Sequence, residues 1–159
     1  MKKWLFLMLL ISLGFTSCSS TKSVRKTTKK ATTRIDRIVS NALNYKGVRY
    51  KYGGTTRKGM DCSGIIYVSY LQEKVQIPRI SRDMAKTGKN VSLKKAKKGD
   101  LLFFKTSKKG PGINHVGLIV SVKKGQIRFI HATTSRGVII SLLSEKYWRN
   151  AFVKVKRIL

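Results

Sequence analysis

Asp61-Cys62-Ser63-Gly64-Ile65-Ile66-Tyr67-Val68-Ser69-Tyr70-Leu71 is the stretch on which the reading of this chain turns. Ile65, Ile66, Val68, Tyr70 and Leu71 make it apolar enough for a buried helix. Asp61 is a good N-cap, because its carboxylate accepts from the unpaired amides of a first turn. Cys62 then falls at the start of that helix, where the amide dipoles favour thiolate over thiol. The Asp61 carboxylate beside it works in the opposite direction. A lone cysteine is as readily an inert core residue, so its meaning depends on its partners.

Upstream, Ile35, Ile38, Val39, Ala42 and Leu43 recur at helical spacing behind Thr33 as a cap, and Gly47 closes that helix. Residues 48–52 read as extended and are broken by Gly53-Gly54. Downstream, a loop at Pro78 leads to a short helix predicted over 81–86. After Gly99-Asp100 the character changes. Residues 101–104, 115–122, 126–132, 138–142 and 152–158 are short, β-rich and separated by turn signals. Helices followed by a run of strands predict an α+β domain.

The chain has two histidines, His115 and His131, one in each of two strands joined by Lys123-Lys124-Gly125. A three-residue hairpin loop with glycine in third place sets Val122 opposite Gln126 and Gly117 opposite His131. The histidines then share one face as diagonal neighbours. A two-residue loop shifts the register by one and puts them on opposite faces. A Cys/His/His set is also compatible with zinc and one open position, although neither histidine has a local carboxylate to orient it.

The two ends of the composition speak to compartment and partner. Met1-Lys2-Lys3, an apolar run from Trp4 to Phe15 and the small residues Thr16 and Ser17 read as a secretory signal over 1–17. The apolar run is too short to span a bilayer. Cys18 follows directly and resembles the lipobox cysteine of bacterial lipoproteins. That implies cleavage before Cys18, acyl chains on the residue and, with Ser19 next, an outer-membrane anchor facing the periplasm. Residues 18–33 are then the lipidated cysteine and a basic tether, and 34–159 the folded domain. Lysine and arginine number 35 against 6 acids, a formal net charge of +29 in 159 residues. Such a chain suits a polyanionic partner. Export argues against nucleic acid and leaves an anionic lipid surface or an acidic wall polymer.

Tyr50-Lys51-Tyr52-Gly53-Gly54, Gly59-Met60-Asp61-Cys62-Ser63-Gly64, Asn114-His115-Val116-Gly117 and Phe129-Ile130-His131-Ala132, in this order, resemble the NlpC-type cell-wall peptidases. These are papain-like cysteine hydrolases of bacterial peptidoglycan. The resemblance covers about 34–159 and implies helices packed on a central antiparallel sheet, with the nucleophile at a helix N-terminus. It makes Cys62 the nucleophile, His115 the base and His131 the residue that orients it. It gives Tyr50 and the Cys62 amide to the oxyanion, and Asp61, Ser63 and Ser81 to the stem peptide. Met84 stands where many members carry glutamine, a departure that bears on substrate recognition. No cofactor or metal is implied. On these residues Cys62 and His115 are expected to rest as a thiolate–imidazolium pair. The bond cut is either the D-glutamyl–diaminopimelate link or the diaminopimelate–D-alanine crosslink. A non-catalytic basic lipoprotein that binds the wall or acidic lipids, and an amidase or acyltransferase on the same fold, are the alternatives.

Overall fold

The computed structural model describes residues 32–107, 110 and 112–159. The signal segment, Cys18 and the tether up to residue 31 lie outside the described residues.

Helix α1 (Arg34–Leu43) starts where the sequence places it. The Thr33 hydroxyl accepts from the Asp36 amide at 3.1 Å, and the Asp36 carboxylate accepts from the Thr33 amide at 3.1 Å. This reciprocal box satisfies two amides that the helix itself leaves unpaired. Ile38, Val39 and Ala42 face inward. The expected extended run at 48–52 reduces to one bridge, Tyr50 beside Met60. A small hairpin of β1 (Thr55–Thr56) and β2 (Gly59–Met60), not foreseen, precedes the helix that opens with Cys62. That helix, α2 (Cys62–Leu71), buries Ile65, Ile66 and Tyr70. The next, α3 (Ser81–Met84), is two residues shorter than predicted.

Five strands of the main sheet follow: β3 (Lys89–Val91), β4 (Leu101–Phe104), β5 (His115–Lys123), β6 (Gln126–Thr133) and β7 (Gly137–Leu142). After them come helix α4 (Lys146–Ala151) and β8 (Phe152–Arg157). The six strands lie in the order β3-β8-β4-β5-β6-β7, and every pairing is antiparallel. The chain is therefore α+β as expected, except that α4 interrupts the strands. One sheet face packs Leu101, Phe103, Val116, Leu118 and Ile130 against α1 and α2. The other packs Leu102, Phe104, Ile119, Phe129 and Val155 against Trp148 of α4.

The β5–β6 hairpin departs from the expected loop. The turn has two residues, Lys124 and Gly125, with φ of 47° and 77°, and Lys123 rather than Val122 stands opposite Gln126. Positive φ at both central positions matches the sheet twist, which is why glycine is tolerated there so well. On its own this register separates the two histidines. A bulge between Ile119 and Ser121 inserts one residue in β5, and Leu118 then faces Ile130. That is the register the longer loop would have given, so His115 and His131 return to one face. Gly117, inside the Asn114–Gly117 motif, has a steric reason: a Cβ there would strike the ring of Phe129, the residue that packs on His131.

Candidate active site

The site is organised by the Asp61 carboxylate, which is 7% exposed. Its Oδ1 accepts from the Gly64 amide at 2.6 Å, capping α2, and its Oδ2 accepts from the Gly53 amide at 2.8 Å, pinning the preceding loop. Arg79, from the Pro78 loop, donates to both carboxylate oxygens at 3.0 Å. The same guanidinium reaches the Ser63 hydroxyl at 2.9 Å and the Gly54 carbonyl at 3.3 Å. A bidentate Arg–carboxylate pair is among the stronger polar contacts available. Gly64 is obligatory here, because a Cβ would run into the Gly54 carbonyl and within 2.9 Å of Asp61 Oδ1. Loop, cap and helix thus close on each other within one residue of Cys62.

Cys62 opens α2 and lines a cleft of about 580 Å³. Tyr50, Asp61, Ser63 and Ser81, all singled out in the sequence, line the same cleft, together with Arg79. The backbone N–H groups of Val116, Ser63 and Cys62 point to the sulfur. Val116 follows His115 directly, so the sulfur lies at the mouth of β5, where His115 begins the strand. Asn114 of the same segment lines the cleft, and His115, the next residue, is 9% exposed.

His115 Nε2 lies 3.0 Å from His131 Nδ1, and His131 Nε2 lies 3.0 Å from the Ser141 hydroxyl. All three are buried, His131 completely. Trp148 stacks on His115, centroid to centroid 5.2 Å at 21°, and meets His131 edge-on at 4.4 Å. Phe129 covers the remaining side of His131 at 4.7 Å. Aromatic walls of this kind fix both imidazoles and keep water from their hydrogen bonds.

Burial controls the protonation states. It pushes the Cys62 thiol up to about 11, with the Asp61 charge adding to the rise and the Val116, Ser63 and Cys62 amides offsetting part of it. Burial also pushes His115 down to about 4 and His131 further down, the latter with help from His115 and Arg136. Each group favours its uncharged form, since a charge in this enclosure loses its hydration. Burial thus pushes the thiol and both imidazoles toward their uncharged forms, against the ion pair expected from the sequence. Burial, then Cys62 and Asp61, raise the Tyr50 hydroxyl, which stays protonated as a donor.

Tyr50, Asp61, Cys62, Ser63 and Ser81 thus share one cleft, and His115 and His131 form a separate bonded pair at the start of the strand whose Val116 amide reaches the sulfur. The polar atoms of Asp61 and Ser63 are engaged with Arg79 and with each other. Met84 is fully buried in the core rather than in the cleft. Arg79, Trp148 and Ser141 were not singled out. Their contacts are made across the fold, and no local spacing announces them. Among the described residues no three His, Cys, Asp or Glu side chains cluster as a metal ion requires.

The sequence profile of the NlpC/P60 family matches residues 47–157. Murein DD-endopeptidase MepS/Murein LD-carboxypeptidase of Escherichia coli is 37% identical over 124 residues, 77% of this chain and 62% of that protein. The chain therefore spans less than two thirds of that relative's length. Probable endopeptidase NlpC of Escherichia coli is 40% identical over 116 residues, 72% of each chain. RipD of Mycobacterium tuberculosis, a non-catalytic NlpC/p60 domain protein adapted to peptidoglycan binding, superposes with a TM-score of 0.63 at 26% identity, covering 80% of this chain and 98% of that one. This fold therefore hosts both catalysis and plain binding, and side chains decide between them.

Replacing Arg79 tests the Asp61 cluster. Arg79→Gln leaves a nearly buried carboxylate without its cation. Breaking a fully buried pair costs about 3–5 kcal/mol, and exposed pairs contribute under about 1 kcal/mol. The Arg79 side chain is 29% exposed, so the expected loss is about 1–3 kcal/mol, with Arg79→Lys recovering part of it. Urea unfolding midpoints at constant m measure this; a midpoint unchanged in Arg79→Gln would contradict the arrangement.

Proposed function

Because the chain belongs to the NlpC/P60 family, we propose that it is a cysteine-type endopeptidase acting on the peptide part of peptidoglycan. The observation that carries this reading is the placing of Cys62. It stands at the N-terminus of α2, in the wall of a cleft and at the mouth of β5, whose first residue belongs to a buried pair of hydrogen-bonded imidazoles. A module that only binds has no need of a thiol there with a base behind it.

The chemistry follows from the neutral resting state. As Cys62 Sγ attacks a substrate carbonyl carbon, its proton passes to His115. The developing oxyanion is met by the Cys62 backbone N–H and by the protonated Tyr50 hydroxyl. His115 then gives the proton to the departing amine, leaving a thioester on Cys62. A water attacks the thioester while His115 takes its proton, and the acid product leaves with the thiol restored. Because both partners start uncharged, no buried ion pair has to be maintained between turnovers. The His115 imidazolium exists only while an opposite charge is present beside it.

Charge supports an anionic substrate. Five of the six acids pair with cations: Asp36 with Lys98, Asp61 with Arg79, Glu73 with Arg37, Asp83 with Lys86 and Asp100 with Arg157. The sixth, Glu145, accepts from the Leu142 amide. Every acidic side chain is thus engaged, and the excess of lysine and arginine suits stem peptides that carry free carboxylates.

Purified protein incubated with isolated peptidoglycan is expected to release peptide fragments with new amino termini, identified by muropeptide chromatography and mass. A wall-binding protein would co-sediment with the polymer and release nothing. His115→Asn should abolish release, since an amide cannot carry the proton. His131→Asn should retain measurable activity, because it can still hold His115 by a hydrogen bond. General-base assistance is worth about 10²–10⁴-fold, and an orienting partner accounts for only part of that. In the wild type kcat/KM should fall only as pH drops toward about 4, where His115 in the free enzyme is protonated and cannot accept the thiol proton. A hydrolytic His115→Asn variant would contradict the assignment.

The anchor belongs to the same proposal. Cys18 carries the lipid and holds the domain to the periplasmic face of the outer membrane through the basic tether. Intact mass of protein extracted from membranes should exceed that of the chain beginning at Cys18 by a diacylglyceryl group and an acyl chain. A mature chain with no acyl mass would remove the anchor from the account.

A further inference from the structure

The two imidazoles and Ser141 form one chain, and the chain has a direction. A neutral imidazole carries a single N–H. His115 Nε2 faces His131 Nδ1, and His131 Nε2 faces Ser141 Oγ, each at 3.0 Å. Two arrangements satisfy both contacts. In one, His115 Nε2–H donates to His131 Nδ1, and His131 Nε2–H donates to Ser141. In the other, every proton is reversed: Ser141 donates to His131 Nε2, and His131 Nδ1–H donates to His115 Nε2.

These arrangements are opposite in their consequence for Cys62. In the first, His115 keeps its lone pair on Nδ1, the ring nitrogen not bonded to His131 and so the one left to take the Cys62 proton. In the second, His115 Nδ1 carries the hydrogen and cannot take another. Resting on the catalytic reading above, we infer that Ser141 is a positioning residue for hydrolysis. It accepts from His131 Nε2–H and so sets both rings in the tautomer that makes His115 a base.

Ser141 is suited to this. It lies on β7 opposite Phe129, which makes it the diagonal neighbour of His131 across the β6–β7 ladder. It is 4% exposed, so water does not replace it readily. Without its oxygen, the productive arrangement would leave a buried N–H with no partner. The unproductive one would leave only a lone pair. Orphaned buried N–H groups are the rarer of the two in folded proteins, so truncation biases the pair toward the blocked tautomer.

The chain's two histidines make the test direct, because full-length protein labelled with ¹⁵N-histidine shows only four ring nitrogens. At pH 7 each ring should show a protonated Nε2 and a lone-pair Nδ1. In Ser141→Ala the signals should move toward protonated Nδ1. On one stem-peptide substrate kcat should fall about 10–100-fold with KM within about twofold, a share of the general-base contribution. Ser141→Thr, which keeps the hydroxyl, should recover most of kcat. A protonated His131 Nδ1 in the wild type would overturn the inference, as would wild-type kcat in a folded Ser141→Ala. If Ser141→Ala does not fold, the wild-type spectrum still decides the direction. Protonated Nε2 on both rings in a protein that hydrolyses nothing would sink the catalytic reading and leave the chain's direction standing.

Discussion

One carboxylate, that of Asp61, holds the site in shape. It caps the helix that carries Cys62, fixes the Gly53 loop on one side and receives Arg79 from the Pro78 loop on the other. Three segments distant in sequence therefore meet within a residue of the sulfur. The same carboxylate raises the thiol pKa, and that opposes its reactivity. Arg79 sets a cation against that carboxylate through a bidentate contact and leaves the cap in place. Local geometry and local electrostatics make opposite demands here, and a guanidinium satisfies both.

Enclosure governs the rest. Trp148 and Phe129 wall off the imidazole pair, and the cost of dehydrating a charge pushes thiol and imidazoles toward their neutral forms. A neutral site places its demands on hydrogen-bond direction rather than on ion pairing. On the proposed reading, that is how a buried serine at the far end of the chain bears on a sulfur it does not touch. The chain has only six acids, each engaged elsewhere, so His131 rather than a carboxylate stands beside His115.

Much of this was legible in the sequence where the signal is local. The Thr33 cap, the Asp61 cap, the apolar run of α2 and strand β4 depend on residues a few positions apart. The histidine pair was reached by a different local route from the one the chain takes: the turn is a residue shorter than expected, and a bulge near Val120 makes up the difference. A bulge has no composition of its own, so two compensating departures left the face assignment intact. Helix α4 went unread because six residues hold too little periodicity to recognise, and with it went Trp148. Strand β3 is three residues, two of them polar and exposed. Arg79 and Ser141 acquire their roles only through contacts 18 and 10 residues away. The direction in which burial shifts the thiol and the imidazoles was not legible for the same reason, since dehydration is a property of the folded enclosure.

If Cys62 is the nucleophile, the fold around it does not need the thiol. The most direct measurement is the initial rate of stem-peptide hydrolysis by Cys62→Ala beside the wild type, with circular dichroism and thermal unfolding on the same samples. The account predicts no detectable hydrolysis from a variant that folds and melts like the wild type. Hydrolysis near the wild-type rate in that variant would contradict it.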